Sequence, residues 1–166
     1  PVLDTITSDL MNLLNPNSYQ KGAWVLHMLR DKVGDSSFFR GVRTYYQTYK
    51  WRNAKTSDFM AIMEKECDCS LDNFFNQWLK QSDLPIIQAT YEIGKHLYLT
   101  IKQHQKEVYI FPLTVRFYYK DGKYDDHHIF VDSKTKKYVI QTDVEVLKIE
   151  LDPNTKLLFA EKRLDK

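Results

Sequence analysis

The sequence predicts an α+β protein made of two units: an N-terminal helical bundle over residues 1–83, then a small antiparallel β-sandwich over 84–166. Two observations carry this. Before Leu84-Pro85 the apolar residues recur at helical spacing, and after it they alternate along the chain. A composition of 43% hydrophobic and 28% charged residues in 166 positions supports packed cores in one or two small domains, which excludes disordered, collagen-like and coiled-coil classes. Basic and acidic residues balance at ten each up to residue 83, and stand at fourteen and twelve beyond it, so the boundary is one of pattern and not of charge.

Five helices are expected in the first half. Asp4 to Leu14 carries Ile6, Leu10, Leu13 and Leu14 on one side and stops at Asn15-Pro16. Asn17 or Ser18 caps a second helix, Tyr19 to Val33, which Gly34 ends by taking a left-handed backbone turn. Its Ala23, Trp24, Val25, Leu26, Met28, Leu29 and Val33 form more than a narrow stripe, which predicts burial on several sides. Asp35 or Ser36 caps the third, with Phe38, Phe39, Val42, Tyr45, Tyr46 and Tyr49 inward. Thr56 or Ser57 starts the fourth, with Asp58 favoured in its first turn by the helix dipole. Ser70 starts the fifth, whose inward face is Leu71, Phe74, Phe75, Trp78 and Leu79.

About seven short strands follow. Ile87 to Ile93 alternates, Gly94-Lys95 turns the chain, and Leu97, Leu99 and Ile101 continue. Phe111, Leu113, Val115 and Phe117 make the clearest apolar face. Register then chooses the turn at Lys120-Asp121-Gly122. A two-residue loop would set Asp126 against Phe117 and His128 against Val115. A three-residue loop with Gly122 left-handed pairs Leu113 with Ile129 and Phe111 with Val131, and is expected because it keeps the middle of the face dry. Further strands are expected near Tyr138–Gln141, at Val144–Leu151 and, past the turn at Asp152-Pro153-Asn154, at Leu157–Phe159. Strand number and spacing suggest a sandwich.

Few residues carry recognisable chemistry. The net charge of +2 gives no reason to expect nucleic acid as a partner, and no apolar run is long enough to insert into a membrane. None of the five histidines is followed by Glu, so there is no H-E-x-x-H helix to set two imidazoles over a metal. Asp125-Asp126-His127-His128 reads as a polar strand edge, since successive strand residues point to opposite faces. Cys67-Asp68-Cys69 lacks the other two ligands of a zinc site and reads as a pair of partly buried free thiols at a helix end. No G-x-S-x-G elbow or glycine-rich phosphate loop occurs. Tyr19 remains. A tyrosine in the first turn of a packed helix is held at one end and could present its hydroxyl to an oxyanion, although packing at the bundle surface is the commoner fate of such a residue.

The same stretch resembles the zinc aminopeptidases of the alanyl-aminopeptidase type, a gluzincin family. Their pattern Y-x-K-G-A-x-x-L-x-M-L stands here as Tyr19-Gln20-Lys21-Gly22-Ala23-Trp24-Val25-Leu26-His27-Met28-Leu29. The likeness continues through Gly34-Asp35, Phe38, Gly41, Tyr45, Tyr49, Asn53-Ala54-Lys55-Thr56, Asp58-Phe59, Leu71, Phe74-Phe75, Gln77-Trp78-Leu79 and Pro85, covering about residues 10–87 in order. Val146–Leu158 is similar to the end of the β-sandwich that follows the catalytic domain in that family. Departures are Cys67-Asp68-Cys69 and Ser82-Asp83, where the family often has glycines, and the absence of the H-E-x-x-H segment, its downstream Glu ligand and the G-x-M-E-N amine-binding segment.

The resemblance implies a metallopeptidase that hydrolyses N-terminal residues from peptides, with residues 1–83 as the helical lobe of its catalytic domain. It gives Tyr19 the role of oxyanion donor beside zinc. The chain opens at Pro1 without an initiator methionine or signal peptide, and a processed product or a C-terminal fragment is expected. On this reading zinc belongs to the parent enzyme and none is bound by the fragment, which alone is inactive. Its partners are the peptide substrate and the missing N-terminal and zinc-binding domains. Exposed apolar surface around Leu10, Leu13, Leu14 and the start of the second helix is expected to drive self-association. The rival reading is a non-catalytic interaction module with the same fold.

Overall fold

A computed structural model describes residues 17–93, 96–142 and 144–162. The chain forms two compact units, Pro1–Ser82 and Asp83–Lys166. The expected helix Asp4–Leu14, its stop at Asn15-Pro16 and the Gly94-Lys95 turn lie outside the described residues, as do the capping side chains expected at Asn17 or Ser18.

The helical unit opens with a π-helical turn, Asn17–Lys21, that runs directly into α1, Gly22–Val33. Val25, Met28 and Leu29 are buried, while Ala23 and Leu26 are exposed, so α1 is covered on one side and not on several. Gly34 ends it at φ 79°, ψ 154°, with its N–H donated to Arg30 O. That is a region essentially reserved for glycine, and it is extended in ψ instead of the left-handed helical turn expected. One residue thus joins α1 to α2, Asp35–Tyr49. Asp35 does not cap α2. Its carboxylate takes both guanidinium nitrogens of Arg30 at 2.8 Å across the corner.

The aromatic residues of α2 form two stripes and not the single inward face expected. Phe38 and Gly41 are buried with Tyr45 and Tyr49 half-buried, while Phe39, Val42 and Tyr46 point to solvent at their own helical spacing. Gly41 matters for the inward stripe: a Cβ there would stand 2.5 Å from Met63 Sδ, so glycine lets α3, Thr56–Cys67, come close. Tyr45 meets Tyr49 and Phe59 at centroid distances of 5.3 and 5.2 Å, and Phe59 meets Phe75 at 6.4 Å. α3 starts at Thr56, one of the two expected positions, and its first turn is closed by Asp58, whose carboxylate accepts the Lys55 N–H at 2.7 Å. α4, Asp72–Phe75, instead starts later than the expected Ser70: its cap position is Leu71, whose N–H is accepted by the Glu64 carboxylate at 2.7 Å. A second π-helical turn, Asn76–Lys80, prolongs α4 and buries Trp78 and Leu79.

The expectation of free thiols is overturned: Cys67 and Cys69 are joined in a disulfide. Asp68 between them takes the left-handed conformation at φ 51°, ψ 44°, which folds the chain back and brings the two Cα atoms to 5.2 Å, inside the range a disulfide spans. A loop this short restrains the unfolded chain little, by about 1.5 kcal/mol in the loop-entropy picture. Reduction is therefore expected to lower the thermal unfolding midpoint of the helical unit by about 6–12 °C without abolishing its fold. A melt with and without a phosphine reductant checks this, and collapse of the unit on reduction would contradict it.

The β unit holds β1 (Ile86–Ile93), β2 (Leu97–Gln103), β3 (Phe111–Tyr119), β4 (Tyr124–Val131), β5 (Thr135–Ile140), β6 (Val146–Leu151) and β7 (Ala160–Glu161). They form two sheets, ordered β5-β2-β1-β7 and β4-β3-β6. The β3–β4 register pairs Phe111 with Val131 and Leu113 with Ile129, as the three-residue turn requires, and Gly122 sits at φ 82°. All pairings are antiparallel except β1 with β7. The last strand falls at Ala160–Glu161, beyond the expected Leu157–Phe159, because the Leu157 N–H is taken by the Asp152 carboxylate at 2.8 Å and is lost to any ladder. β5 likewise begins earlier than expected, at Thr135, and β6 later, at Val146.

The inward faces bury Ile87, Leu97, Leu99 and Ile101 from one sheet, and Phe111, Leu113, Val115, Phe117, Ile129, Val131 and Val146 from the other. Buried polar side chains accompany them, Gln103 and Gln105 among them. Gln103, 1% exposed, donates from Nε2 to Tyr109 O at 2.9 Å and Ser133 O at 3.0 Å, and its Oε1 accepts from Tyr109 N at 3.0 Å and from Gln105 Nε2. Gln105 Oε1 accepts the Ile86 N–H, and the Tyr109 hydroxyl donates to Asp83 O. Burial pushes the Tyr109 phenol up to about 12.

The Asp125-Asp126-His127-His128 run divides between the two faces. Asp126 takes both Arg116 nitrogens at 2.7 and 2.8 Å, which holds its carboxyl below the usual range, and His128 Nδ1 meets Thr114 Oγ1 at 3.0 Å. His127 lies on the other face, its ring 4.8 Å from Phe117. Among the described residues, no three His, Cys, Asp or Glu side chains are grouped to hold a metal ion, and no helix is long and apolar enough to cross a membrane.

Candidate functional site

Tyr19 lies in the π-helical turn Asn17–Lys21, and its ring is 66% exposed. A π-turn carries one more residue per hydrogen-bonded ring than an α-turn, so it bulges from the helix that continues it; such turns are frequent at functional sites. The sequence places this bulge at the entrance of α1, where Val25, Met28 and Leu29 anchor the following turns in the core. A tyrosine so placed has a fixed backbone and a free tip. Its hydroxyl can donate one hydrogen bond to a molecule arriving from solvent.

Two residues further on, Lys21 is 7% exposed. Its Nζ donates to Gln81 O at 2.9 Å, and Gln81 is the residue that closes the second π-turn. The buried lysine therefore links the two π-turns of the helical unit. No sequence signal announced this, since a lysine beside a helix start ordinarily reads as exposed and its partner lies sixty positions away. Gly22 marks the joint between π-turn and α-helix, yet a Cβ there would meet nothing within 4 Å among the described residues, so packing against those residues does not demand glycine. Trp24 packs edge-on against His27 at 5.5 Å on the next turn.

Around this motif the helical unit leaves large apolar groups in solvent. Leu26, Phe39, Val42 and Tyr46 are exposed on α1 and α2, and Trp51, at φ 65° just past α2, is 96% exposed. Arg30 lies over the Phe39 ring, 4.9 Å from its centroid.

Residues 3–78 match the Peptidase family M1 domain. Probable aminopeptidase 2 of Sulfurisphaera tokodaii is 25% identical over 162 residues, which is 92% of this chain and 20% of that protein. Human glutamyl aminopeptidase is 30% identical over 91 residues, or 54% of this chain and 10% of its own length. Escherichia coli aminopeptidase N is 25% identical over 134 residues, covering 74% of this chain and 15% of the relative. The fold is similar to that in a crystal structure of Legionella pneumophila aminopeptidase A in complex with aspartic acid, with a TM-score of 0.78 at 18% identity, over 96% of this chain and 19% of that one. The chain thus spans a fifth or less of the length of these relatives. The Y-x-K-G motif thus lies inside the region that matches the M1 peptidase domain, and the two units follow one another as in the similar aminopeptidase structure, so the chain is similar to M1 aminopeptidases over both.

Proposed function

We propose that the chain is a piece of a zinc aminopeptidase that removes N-terminal residues from peptides, with 1–83 as a lobe of its catalytic domain and 84–166 as its β-sandwich domain. The observation that carries this reading is the Tyr19 phenol, held on a π-turn in the family's own motif and open to solvent. When a peptide carbonyl is attacked, negative charge gathers on its oxygen. A donor already in place stabilises that charge without reorganising, and Tyr19 supplies such a donor.

M1 aminopeptidases are in general zinc enzymes. The described residues do not form a site for the ion by themselves, so we assign it to a part of the protein outside them. The peptide substrate and the remaining domains are then the partners of this chain. The full-length protein is expected to cleave an aminoacyl fluorogenic substrate, and the chain alone to leave it intact. Parent-like turnover by the chain alone contradicts the reading. An inactive full-length protein contradicts it too, in favour of a non-catalytic interaction module.

Separation from those domains would leave Leu26, Phe39, Val42, Tyr46 and Trp51 without cover. The isolated chain is therefore expected to self-associate as its concentration rises. Light scattering that reports a strict monomer throughout contradicts this.

A further inference from the structure

We propose that Lys21 is a positioning residue for Tyr19: its buried ammonium, bonded to the Gln81 carbonyl, fixes the π-helical turn that carries the phenol. The proposal rests on the reading of Tyr19 given above and adds a second residue to it.

Both residues belong to the same five-residue turn, Asn17–Lys21, so whatever holds Lys21 sets where the Tyr19 backbone lies. A lysine is rarely buried without a partner, and a backbone carbonyl at 2.9 Å serves here. Hydrogen bonds from a charged donor are roughly twice as strong as neutral ones. The acceptor is well chosen for rigidity. Gln81 follows Trp78 and Leu79, both buried, so the carbonyl is fixed to the core of the unit. π-turns interrupt the regular helical ladder, and the ammonium braces one such turn against the end of another. An oxyanion donor works only when held within a few tenths of an ångström of its productive place. Lys21 meets that need from inside the fold, without touching the substrate.

The test is a double-mutant cycle in the full-length protein with an aminoacyl fluorogenic substrate. Lys21→Met keeps the length of the side chain and removes the charge. It is expected to lower kcat about tenfold or more with KM within about threefold, since a displaced donor weakens the transition state and not substrate binding. Tyr19→Phe should lower kcat further. The double variant should be no slower than Tyr19→Phe alone, because Lys21 acts through a hydroxyl that is no longer there. Lys21→Arg, which keeps a cation at the same place, should recover most of the lost kcat. If the Met variant does not fold, Lys21→Gln carries the same cycle.

A near-normal kcat in the Lys21 variant beside a crippled Tyr19→Phe overturns this proposal and leaves the reading of Tyr19 standing. So does a double variant whose loss is the product of the two single losses. Full activity in Tyr19→Phe overturns the reading of Tyr19 and this proposal with it.

Discussion

Replacing Tyr19 by phenylalanine in the full-length protein is expected to lower kcat by about 10²–10³-fold and to leave KM within a few fold. The substitution removes one oxygen. It leaves the ring, the π-turn and the buried Val25, Met28 and Leu29 face of α1 in place, so the fold has little reason to respond. The residue is already 66% exposed, so loss of the hydroxyl removes little from the packed interior. What changes is the phenolic donor. A contact made only as charge develops on the attacked oxygen lowers kcat and kcat/KM together, whereas a contact made equally with bound substrate would appear in KM. Steady-state kinetics of the purified variant separates the two. A rise in KM at constant kcat would recast Tyr19 as a substrate-binding side chain.

Gln103→Leu is expected to be strongly damaging to the β unit, costing about 3 kcal/mol or more. Leucine is close in size and suits an apolar interior, so packing alone would make this substitution mild. The cost comes from what Gln103 leaves behind: the Tyr109 N–H, the Tyr109 and Ser133 carbonyls and the Gln105 amide all lose a partner in or near the core. Each stranded buried polar group carries its full desolvation penalty. The same network holds the Ile86 N–H through Gln105, so damage should spread to the start of β1. Amide hydrogen exchange along β2 reads this unit directly. Tryptophan emission reads the other one, since Trp24, Trp51 and Trp78 all lie in the helical unit. Faster exchange in β2 with unchanged tryptophan unfolding is expected, and β2 protection within about 1 kcal/mol of the parent would contradict it.

These two residues mark the limits of what the sequence reveals. The β3–β4 register was readable because a slip of one residue would have moved Asp126 and His128 opposite the apolar face, so hydrophobic pattern and turn chemistry agreed. Helix positions in 17–82 were readable for the same reason. The inward set of α2 was not: Phe38, Phe39, Val42, Tyr45, Tyr46 and Tyr49 satisfy helical spacing twice over, and only the neighbouring α3, through Met63 and Phe59, selects one stripe. The start of α4 was misplaced for a related reason: Glu64 reaches the Leu71 N–H across seven residues, a bond no local rule assigns. Gln103 and Lys21 look like surface residues in any window. Their burial depends on partners contributed by distant segments, Ser133 in one case and Gln81 in the other. The cysteines misled because the turn that joins them is set by one residue, Asp68, in a conformation that aspartate adopts only occasionally. Tyr19 was found by its motif, and the structure adds that it stands on a π-turn with its ring in solvent.

The claim that Tyr19 stabilises a tetrahedral oxyanion is tested most directly by ligand affinity. A phosphinic peptide analogue of the tetrahedral intermediate and a free amino acid product are titrated against the full-length protein and its Tyr19→Phe variant. The account predicts that the variant binds the analogue about 100-fold more weakly, while its affinity for the product is unchanged. Equal affinity of the two proteins for the analogue would contradict it.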